Sequence, residues 1–323
     1  IGTVYYYAII TFSSGGCTQI TSDIAVITIN QTPSISDKSE TICSGNTFTI
    51  TPDNSGGDIT TTSTTYTWSN PVIAPLGTIS GASAETTPQN NISQTLINNT
   101  TSPSTVTYTV TPASGICIGM TFEIIITVNP SINITSNQMN SDCYLANSGS
   151  IETTISGGIP FSTGSPYLVS WTGPNSYTNS NEDISNLEPG NYTLNITDAG
   201  GCPFTQTFTI TEPDELIFSN TIFDPETISC FGANDGAISI DIAGGTTPYT
   251  YNWTGPNGFT SPQQNPTVSV AGTYTLTVSN PANGCTSTAT AQVLLDTTAP
   301  GAVAQGGNLS CSTGSINLSG SST

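Results

Sequence analysis

Residues 228–260 read ISCFGANDGAISIDIAGGTTPYTYNWTGPNGFT, and this stretch decides the fold prediction. Within it, Ile238, Ile240 and Ile242 alternate with Ser239 and Asp241, which is the period of a β-strand with one buried face. Gly-Gly, Thr-Pro and Gly-Pro-Asn interrupt the apolar runs, as turns do. The stretch therefore predicts short strands separated by tight turns.

The same pattern recurs elsewhere in the chain. Residues 148–202 repeat the order of residues 235–285, so that Trp171 aligns with Trp253 and Tyr192 with Tyr274 at the same offset. Five extra residues near positions 159–165 of the first copy fall where a loop would absorb them. Residues 33–129 keep the same order of strand-like segments, with a longer central part. Repetition at this period indicates tandem modules rather than one large domain.

Eight cysteines follow the repeat. A nearly constant interval separates the two members of each pair: Cys17 and Cys43, Cys117 and Cys143, Cys202 and Cys230, and Cys285 and Cys311. The gaps between successive pairs are longer and vary. The chain has no histidine and no CxxC motif, which disfavours zinc and redox sites. Regularly spaced cysteines without those features favour an extracellular disulfide framework.

These observations predict an all-β protein of tandem immunoglobulin-like β-sandwich modules. We expect the end of one module at 1–31, full modules at 32–130, 131–213 and 214–299, and the start of another at 300–323. Pro33, Pro130, Pro213 and Pro300 lie between the cysteines of each pair, and proline favours extended geometry in the residue before it. We therefore expect short, stiff linkers between modules. Residues 1–12 resemble the interior of a strand, so we expect the chain to be a segment of a longer protein.

The composition limits the partners. Lys38 is the sole basic residue, and 21 acidic residues give a net charge of −20. Nucleic acid and anionic membrane surfaces are excluded as partners, because nothing can neutralise their phosphates. No stretch is apolar over the 18 or more residues of a membrane span, so no membrane insertion is expected.

Catalytic and metal-binding groups are sparse. The carboxylate pairs Glu182 with Asp183 and Asp214 with Glu215 lie beside turns, and we interpret them as solvated surface rather than as a glycosidase pair. Asn234-Asp235-Gly236 is a candidate calcium site, but turn chemistry explains it better. We therefore predict no enzyme activity, no catalytic residues and no cofactor, with calcium as the one candidate ion.

The aromatic residues divide into two groups. Alternation on the strands predicts core positions for six of them: Trp68, Trp171, Trp253, Tyr108, Tyr192 and Tyr274. Tyr177 and Phe259 follow the two Trp-Thr-Gly-Pro-Asn segments and are the candidate glycan contacts.

The disulfide connectivity stays open at this level. Pairing within modules would join Cys43 to Cys117, Cys143 to Cys202 and Cys230 to Cys285, leaving Cys17 and Cys311 to partners outside the chain. In an immunoglobulin-like order, however, the two cysteines of one module would lie toward opposite ends of the sandwich. The alternatives are pairing across each constant interval, which requires a hairpin return that the prolines oppose, and free buried thiols.

The quoted stretch, followed by AGTYTLTVSNPANGC at 271–285, resembles the SprB-type repeat of large surface adhesins from gliding Bacteroidetes. Residues 33–129 look more like a PKD-like or immunoglobulin-like relative. The resemblance implies export by the type IX secretion route and display on the outer cell surface, and it brings no catalytic residues.

Two functions are consistent with this resemblance. The leading hypothesis is a structural stalk or filament segment of an extracellular adhesin that serves adhesion or gliding motility. Its partners would be neighbouring modules, a surface polysaccharide or substratum, and the type IX machinery during export. The alternative is a set of carbohydrate-binding accessory modules of a secreted polysaccharide-degrading enzyme.

Overall fold

The computed structural model of this protein describes residues 2–11, 19–29, 31–219, 228, 235–297, 302–305 and 319–322. In these residues the regular structure is β-strand, apart from two three-residue 3-10 turns, so the protein is all-β. No helix in this part of the chain is long and apolar enough to cross a membrane. The chain divides into two compact units. The first comprises Ile1–Gln138, Ile151–Ile184 and Asn191–Thr209, and the second comprises Met139–Ser150, Ser185–Gly190 and Ile210–Thr323.

The first strands form two small sheets. Their bounds are β1 (Gly2–Tyr6), β2 (Ile9–Thr11), β3 (Gln19–Thr21) and β4 (Ala25–Ile29). β1 pairs antiparallel with β4, and β2 pairs antiparallel with β3.

The strands of the predicted module 32–130 follow Pro33 and are mostly short. They are β5 (Lys38–Cys43), β6 (Thr47–Ile50), β7 (Thr64–Trp68), β8 (Val72–Ala74), β9 (Ile79–Ser80), β10 (Glu85–Gln89), β11 (Ile92–Thr95), β12 (Ile97–Asn98), β13 (Ser104–Ser114), β14 (Cys117–Ile118) and β15 (Phe122–Asn129). The main sheet has the order β10-β7-β13-β15-β5, and β8 and β14 also pair with β13. β6 pairs with β11, and β9 pairs with β12.

Strict alternation along β7, β13 and β15 sends every second side chain into one core. Tyr108 lies at its centre and is fully buried, with ring-centroid distances of 5.3 Å to Phe48 and 6.4 Å to Trp68. The Tyr108 hydroxyl donates a hydrogen bond to Gln94 Oε1 at 2.8 Å, which satisfies the polar end of the ring.

One pairing in this module is parallel. β5 runs beside β15 in the same direction, from Lys38 opposite Ile124 to Cys43 opposite Asn129. Because β15 is the last strand of the module, this register places Cys43 at the end where the chain leaves for Pro130. The position of Cys43 decides the disulfide pattern described below.

β5 also carries the sole basic residue. Lys38 Nζ lies 2.6 Å from Asp58 Oδ2, and the Asp58 side chain is only 2% exposed. Asp58 Oδ1 accepts hydrogen bonds from the Ser36 backbone N–H and hydroxyl, both at 2.8 Å. Burial acts to raise the pKa of Asp58, but the hydrogen bonds from Lys38 and Ser36 outweigh it and hold the pKa below 3.8.

Strands of the following module are β16 (Ile132–Met139), β17 (Gly149–Gly157), β18 (Leu168–Thr172), β19 (Thr178–Asn179), β20 (Ile184–Leu187), β21 (Gly190–Thr197) and β22 (Pro203–Ile210). β16 pairs with β17, and a four-stranded sheet has the order β19-β18-β21-β22. Trp171 on β18 is fully buried and packs on Phe208 of β22 at 5.6 Å between ring centroids.

The next module repeats that sheet. Its strands are β23 (Ile217–Ser219), β24 (Gly236–Ala237), β25 (Asp241–Ala243), β26 (Thr250–Thr254), β27 (Thr260–Ser261), β28 (Thr267–Val268), β29 (Gly272–Ser279) and β30 (Thr286–Val293); β31 (Ala302–Gln305) and β32 (Ser319–Ser322) follow. The order β27-β26-β29-β30 matches β19-β18-β21-β22. Trp253 is fully buried in its core, and the Tyr274 hydroxyl donates to Val270 O at 2.7 Å, in the manner of a tyrosine corner.

The repeated Trp-Thr-Gly-Pro-Asn segment forms the same turn in both modules. Its asparagines, Asn175 and Asn257, have φ angles of 51° and 55°, a left-handed conformation that asparagine tolerates better than most residues. A Cβ on Gly255 would lie 2.4 Å from the ring of Tyr274. Glycine is needed there for close packing, so this motif is explained by the fold.

The ion pair at Lys38 predicts a pH-dependent stability. Lys38→Met leaves the buried Asp58 carboxylate without its cation and should lower the free energy of unfolding at pH 7 by about 1–3 kcal/mol. Since the folded-state pKa of Asp58 is lowered, this contribution is present above about pH 4 and is lost as the pH falls through the folded pKa. Denaturant titrations at pH 7 and pH 2 measure it.

Glu40→Gln on the same strand is the matched control, because Glu40 is exposed. It should change the free energy of unfolding by less than about 0.5 kcal/mol at either pH. An equal loss for Lys38→Met at pH 7 and pH 2 would contradict the role assigned to the ion pair.

Candidate functional site: the disulfide-bonded joints

Two disulfides join parts of the chain that the sequence assigns to successive modules. We call the surroundings of the Cys43–Cys202 bond the first joint, and those of the Cys143–Cys285 bond the second joint. The Cα atoms are 5.5 Å apart in the first bond and 5.6 Å apart in the second. These separations are typical of disulfides.

In the first joint the end of one module meets a hairpin turn of the next. Cys43 ends β5 opposite Asn129, the last residue of β15, and Cys202 lies in the turn between β21 and β22. Asn129 is buried, and its Nδ2 lies 3.9 Å from Cys202 Sγ. A Cβ on Gly200 would lie 2.4 Å from that Nδ2, so the glycine permits the close approach.

Asp198 holds the turn of the first joint together. This residue is only 1% exposed, and its Oδ1 accepts a hydrogen bond from Cys202 N at 2.8 Å. Oδ2 accepts from Ile159 N at 2.7 Å, and Ala199 N donates to Ile159 O at 2.8 Å. Asp198 thereby links the cysteine turn to the preceding loop of the same module.

Electrostatics around this turn also affect a tyrosine. The Tyr167 hydroxyl donates to Gly157 O at 2.7 Å. Burial, followed by the negative charges of Asp198 and Glu182, raises the pKa of Tyr167. Loss of the hydroxyl proton, and with it of this hydrogen bond, is therefore moved to higher pH.

The second joint has the same plan. Cys143 follows β16, and Cys285 lies in the turn between β29 and β30. Asn283 Nδ2 in that turn donates to Asp142 O at 3.0 Å. Ser141 N donates to Thr211 O at 2.9 Å, so the loop before Cys143 runs beside the end of β22.

Asn280 occupies the place of Asp198 in this second turn. Its Oδ1 accepts from Ala282 N at 2.7 Å, and its Nδ2 donates to Thr246 O at 2.6 Å. The Asp198 carboxylate only accepts hydrogen bonds, whereas the Asn280 side-chain amide both accepts and donates them. Asp198 precedes Asn280 by the same offset that separates Trp171 from Trp253, so the repeat alignment could have identified both residues.

A cavity of about 420 Å³ lies beside the second disulfide. Its lining includes Tyr144, Asp214, Glu215, Leu216 and Asn280. All buried side-chain polar atoms in the described residues have hydrogen-bond partners. Asp214 and Glu215 at this cavity are exposed to solvent.

The observed connectivity corrects the within-module prediction. Cys43 is bonded to Cys202 and not to Cys117, and Cys143 is bonded to Cys285 and not to Cys202. Cys285 is consequently not bonded to Cys230. Pairing of Cys117 with Cys143 across the constant interval is excluded in the same way.

The physical reason is the separation of the two cysteines within a module. β5 carries Cys43 to the end where the chain leaves, while the turn after the penultimate long strand lies at the end where the chain enters. A disulfide needs Cα atoms within about 7 Å. The cysteine near the start of a module (the opening cysteine, Cys43 or Cys143) therefore bonds to the cysteine in the turn of the next module. Cys117 begins β14 and is half-buried. Cys17, Cys230 and Cys311 lie outside the described residues.

The predicted aromatic residues fall in two environments. The six predicted core residues are at most 5% exposed: Trp68, Trp171, Trp253, Tyr108, Tyr192 and Tyr274. Tyr177 and Phe259 are half-buried and pack edge-on against Tyr192 and Tyr274, at 5.3 Å and 5.1 Å between ring centroids. The rings of Tyr177 and Phe259 therefore take part in packing.

The acidic candidates are dispersed. Asp183 Oδ1 accepts from Thr153 N at 2.8 Å, and Glu182 Oε1 accepts from Ile155 N at 3.0 Å, so this pair is bonded to β17. Asp235 is exposed, and its predicted calcium partner Asn234 lies outside the described residues. Within the described part of the chain, no three acidic or cysteine side chains gather as metal ligands would.

The hydrogen bonds of Asp198 predict a stabilising role. Asp198→Ala removes the acceptor of two backbone N–H groups and should lower the free energy of unfolding of the oxidised chain by about 1–3 kcal/mol. Asp198→Asn keeps one acceptor, as Asn280 does, and should lower it by less. Denaturation followed by tryptophan fluorescence measures both. A loss for the alanine variant no larger than the roughly 0.5 kcal/mol of an ordinary surface substitution would contradict the role.

Structural comparison returns chains of immunoglobulin domains at low similarity. Sidekick-1 immunoglobulin domains 1–5 are 13% identical with a TM-score of 0.27, and the match covers 98% of this chain and 72% of that one. The full ectodomain of mouse nectin-like molecule 4 is 8% identical with a TM-score of 0.32, covering 81% and 99%. The insect immune protein hemolin is 12% identical with a TM-score of 0.24, covering 90% and 76%. At these TM-scores the likenesses carry no argument about function.

Family models give a more specific match. Residues 40–132 match a PKD-like domain, and residues 223–258 match the SprB repeat. Neither description is of a catalytic domain. No protein with a curated description matches this chain. The chain contains a PKD-like domain and an SprB repeat.

Proposed function

We propose that this chain is a structural stalk segment of an extracellular bacterial surface adhesin. The SprB repeat and the PKD-like domain support the adhesin assignment. The segment would link an adhesive part of the parent protein to the cell surface and would perform no catalysis itself. Cell adhesion or gliding motility is the process that it would serve.

The observation that carries this proposal is the covalent reinforcement of the joints. The Cys43–Cys202 and Cys143–Cys285 bonds each join one module to the next, where a protein with independently moving modules would have a bare linker. Pro33 and Pro130 are buried, so these two linker prolines are part of the packing. Such joints suit a segment that transmits force.

The surface chemistry fits an exported, repetitive protein. Charged residues form 7% of the chain, and the net charge of −20 is spread over three modules and two partial ones. Like charges of this kind keep neighbouring copies apart. Disulfides persist in oxidising compartments, which supports a location outside the cell.

The partners follow from the same proposal. Neighbouring modules of the parent chain would be the permanent contacts, and a surface polysaccharide or substratum would be the target of the whole adhesin. The type IX secretion machinery would export it. The rival function of carbohydrate binding would fall on Tyr177 and Phe259, whose rings each pack edge-on against a core tyrosine.

Solution scattering and surface labelling test the proposal together. A single compact domain of 323 residues would have a radius of gyration of about 20 Å, and a stalk of successive modules should lie well above that value. Antibodies against this chain should label intact cells of the source bacterium as strongly as permeabilised cells. The radius of a single compact domain would contradict the stalk, and labelling that needs permeabilisation would contradict surface display.

A further inference from the structure

The two disulfide loops overlap along the chain. The Cys43–Cys202 bond encloses a sequence separation of 159 residues, and the Cys143–Cys285 bond encloses one of 142. The segment from Cys143 to Cys202 belongs to both loops. If the loops were separate, each module could extend independently. Because the loops share a segment, the extension of one module limits the extension of the next.

We infer that the overlapping disulfides act as a length limiter, so that tension can disrupt the modules without pulling the chain out to its full length. The inference concerns the chain itself and goes beyond the proposed adhesin role. It depends on the connectivity of four cysteines, whatever the protein adheres to.

The limit follows from the shortest covalent route between Cys43 and Cys285. Along the backbone the two residues are 242 residues apart (285 minus 43). The disulfides allow a shorter route, from Cys43 across to Cys202, back along the chain to Cys143, and across to Cys285. At about 3.5 Å per extended residue, the limit is about 210 Å instead of about 850 Å.

The parallel pairing of β5 with β15 determines how load enters the first loop. Tension would pull β5 from its Lys38 end and β15 from its Asn129 end, and these ends are opposite because the strands are parallel. The hydrogen bonds of the ladder are then loaded together in shear rather than one after another. If the ladder yields, Cys43 passes the load directly to Cys202.

This arrangement limits how far the PKD-like core can be stretched. Its strands β6 to β15 all follow Cys43 and precede Cys202, so they lie inside the first loop. With both disulfides taut, Cys143 moves away from Cys43 only as far as the segment from Cys143 to Cys202 extends, which is about 210 Å. The 100 residues from Cys43 to Cys143 (143 minus 43) would otherwise extend to about 350 Å, so an unfolded core keeps its ends nearer together, which lowers the chain entropy opposing its return.

Single-molecule stretching of the full chain tests the inference. Handles are attached at the two termini, and the background carries Cys17→Ser, Cys117→Ser, Cys230→Ser and Cys311→Ser, so that four cysteines remain. Residues outside the segment from Cys43 to Cys285 add the same length to every variant. Fully extended, the oxidised chain should contribute about 210 Å between these two residues, and the reduced chain about 850 Å.

Two double variants give separate expected lengths. Cys43→Ser with Cys202→Ser leaves the route along the chain from Cys43 to Cys143, or about 350 Å. Cys143→Ser with Cys285→Ser leaves the route from Cys202 to Cys285, or about 290 Å. The chain with both disulfides should therefore be the shortest of the three oxidised forms, and the chain that keeps only Cys143–Cys285 the longest.

Other results would overturn the inference. A Cys143–Cys202 bond alone would leave two free stretches of chain and an oxidised length of about 640 Å. An oxidised chain that extends as far as the reduced chain would show that no limiter exists. Neither result bears on surface display, so the two proposals fail separately.

Discussion

The disulfide pattern depends on the parallel pairing of an opening strand with the last strand of its own module. In the PKD-like domain, β5 lies beside β15 and places Cys43 opposite Asn129. The opening cysteine thereby lies where the chain leaves the module. The turn that carries the other cysteine lies at the opposite end, so a disulfide within one module is geometrically excluded.

The same placement recurs beside the other opening segments. Ser141, two residues before Cys143, donates its backbone N–H to Thr211, which follows β22. Ile228, two residues before Cys230, forms a parallel bridge with Leu295, which follows β30. The constant cysteine interval has its origin here, because it contains a last strand, a linker and an opening strand. Insertions such as residues 159–165 fall in the variable gap and do not disturb the joint.

Much of the architecture could be predicted from the sequence, because it depends on local patterns. Alternation along β7, β13 and β29 predicts strands, and the Trp-Thr-Gly-Pro-Asn segments predict turns next to a buried Trp. The ion pair of Lys38 with Asp58 could not be predicted, since the residues come together only when the loop at 53–60 folds over β5. Lys38 lies on β5, the edge strand of the main sheet, and nothing in its sequence neighbourhood indicates the contact with Asp58.

The disulfide pattern was the hardest feature to predict. Spacing along the chain identifies the opening and turn cysteines as two classes, but it does not say which module supplies the partner. The objection that Cys43 and Cys117 would lie at opposite ends of one sandwich was correct, and its consequence is the bond from Cys43 to Cys202. A parallel opening strand leaves no periodicity signal that distinguishes it from an antiparallel one, so the sequence pattern could not decide the direction.

Non-reducing peptide mapping of the oxidised chain tests the central claim most directly. Pepsin suits a chain with one lysine and no arginine, and acidic conditions suppress thiol–disulfide exchange because they remove the attacking thiolate. The account predicts cross-linked peptides that join Cys43 to Cys202 and Cys143 to Cys285. A peptide that joins Cys43 to Cys117, or Cys143 to Cys202, would contradict it.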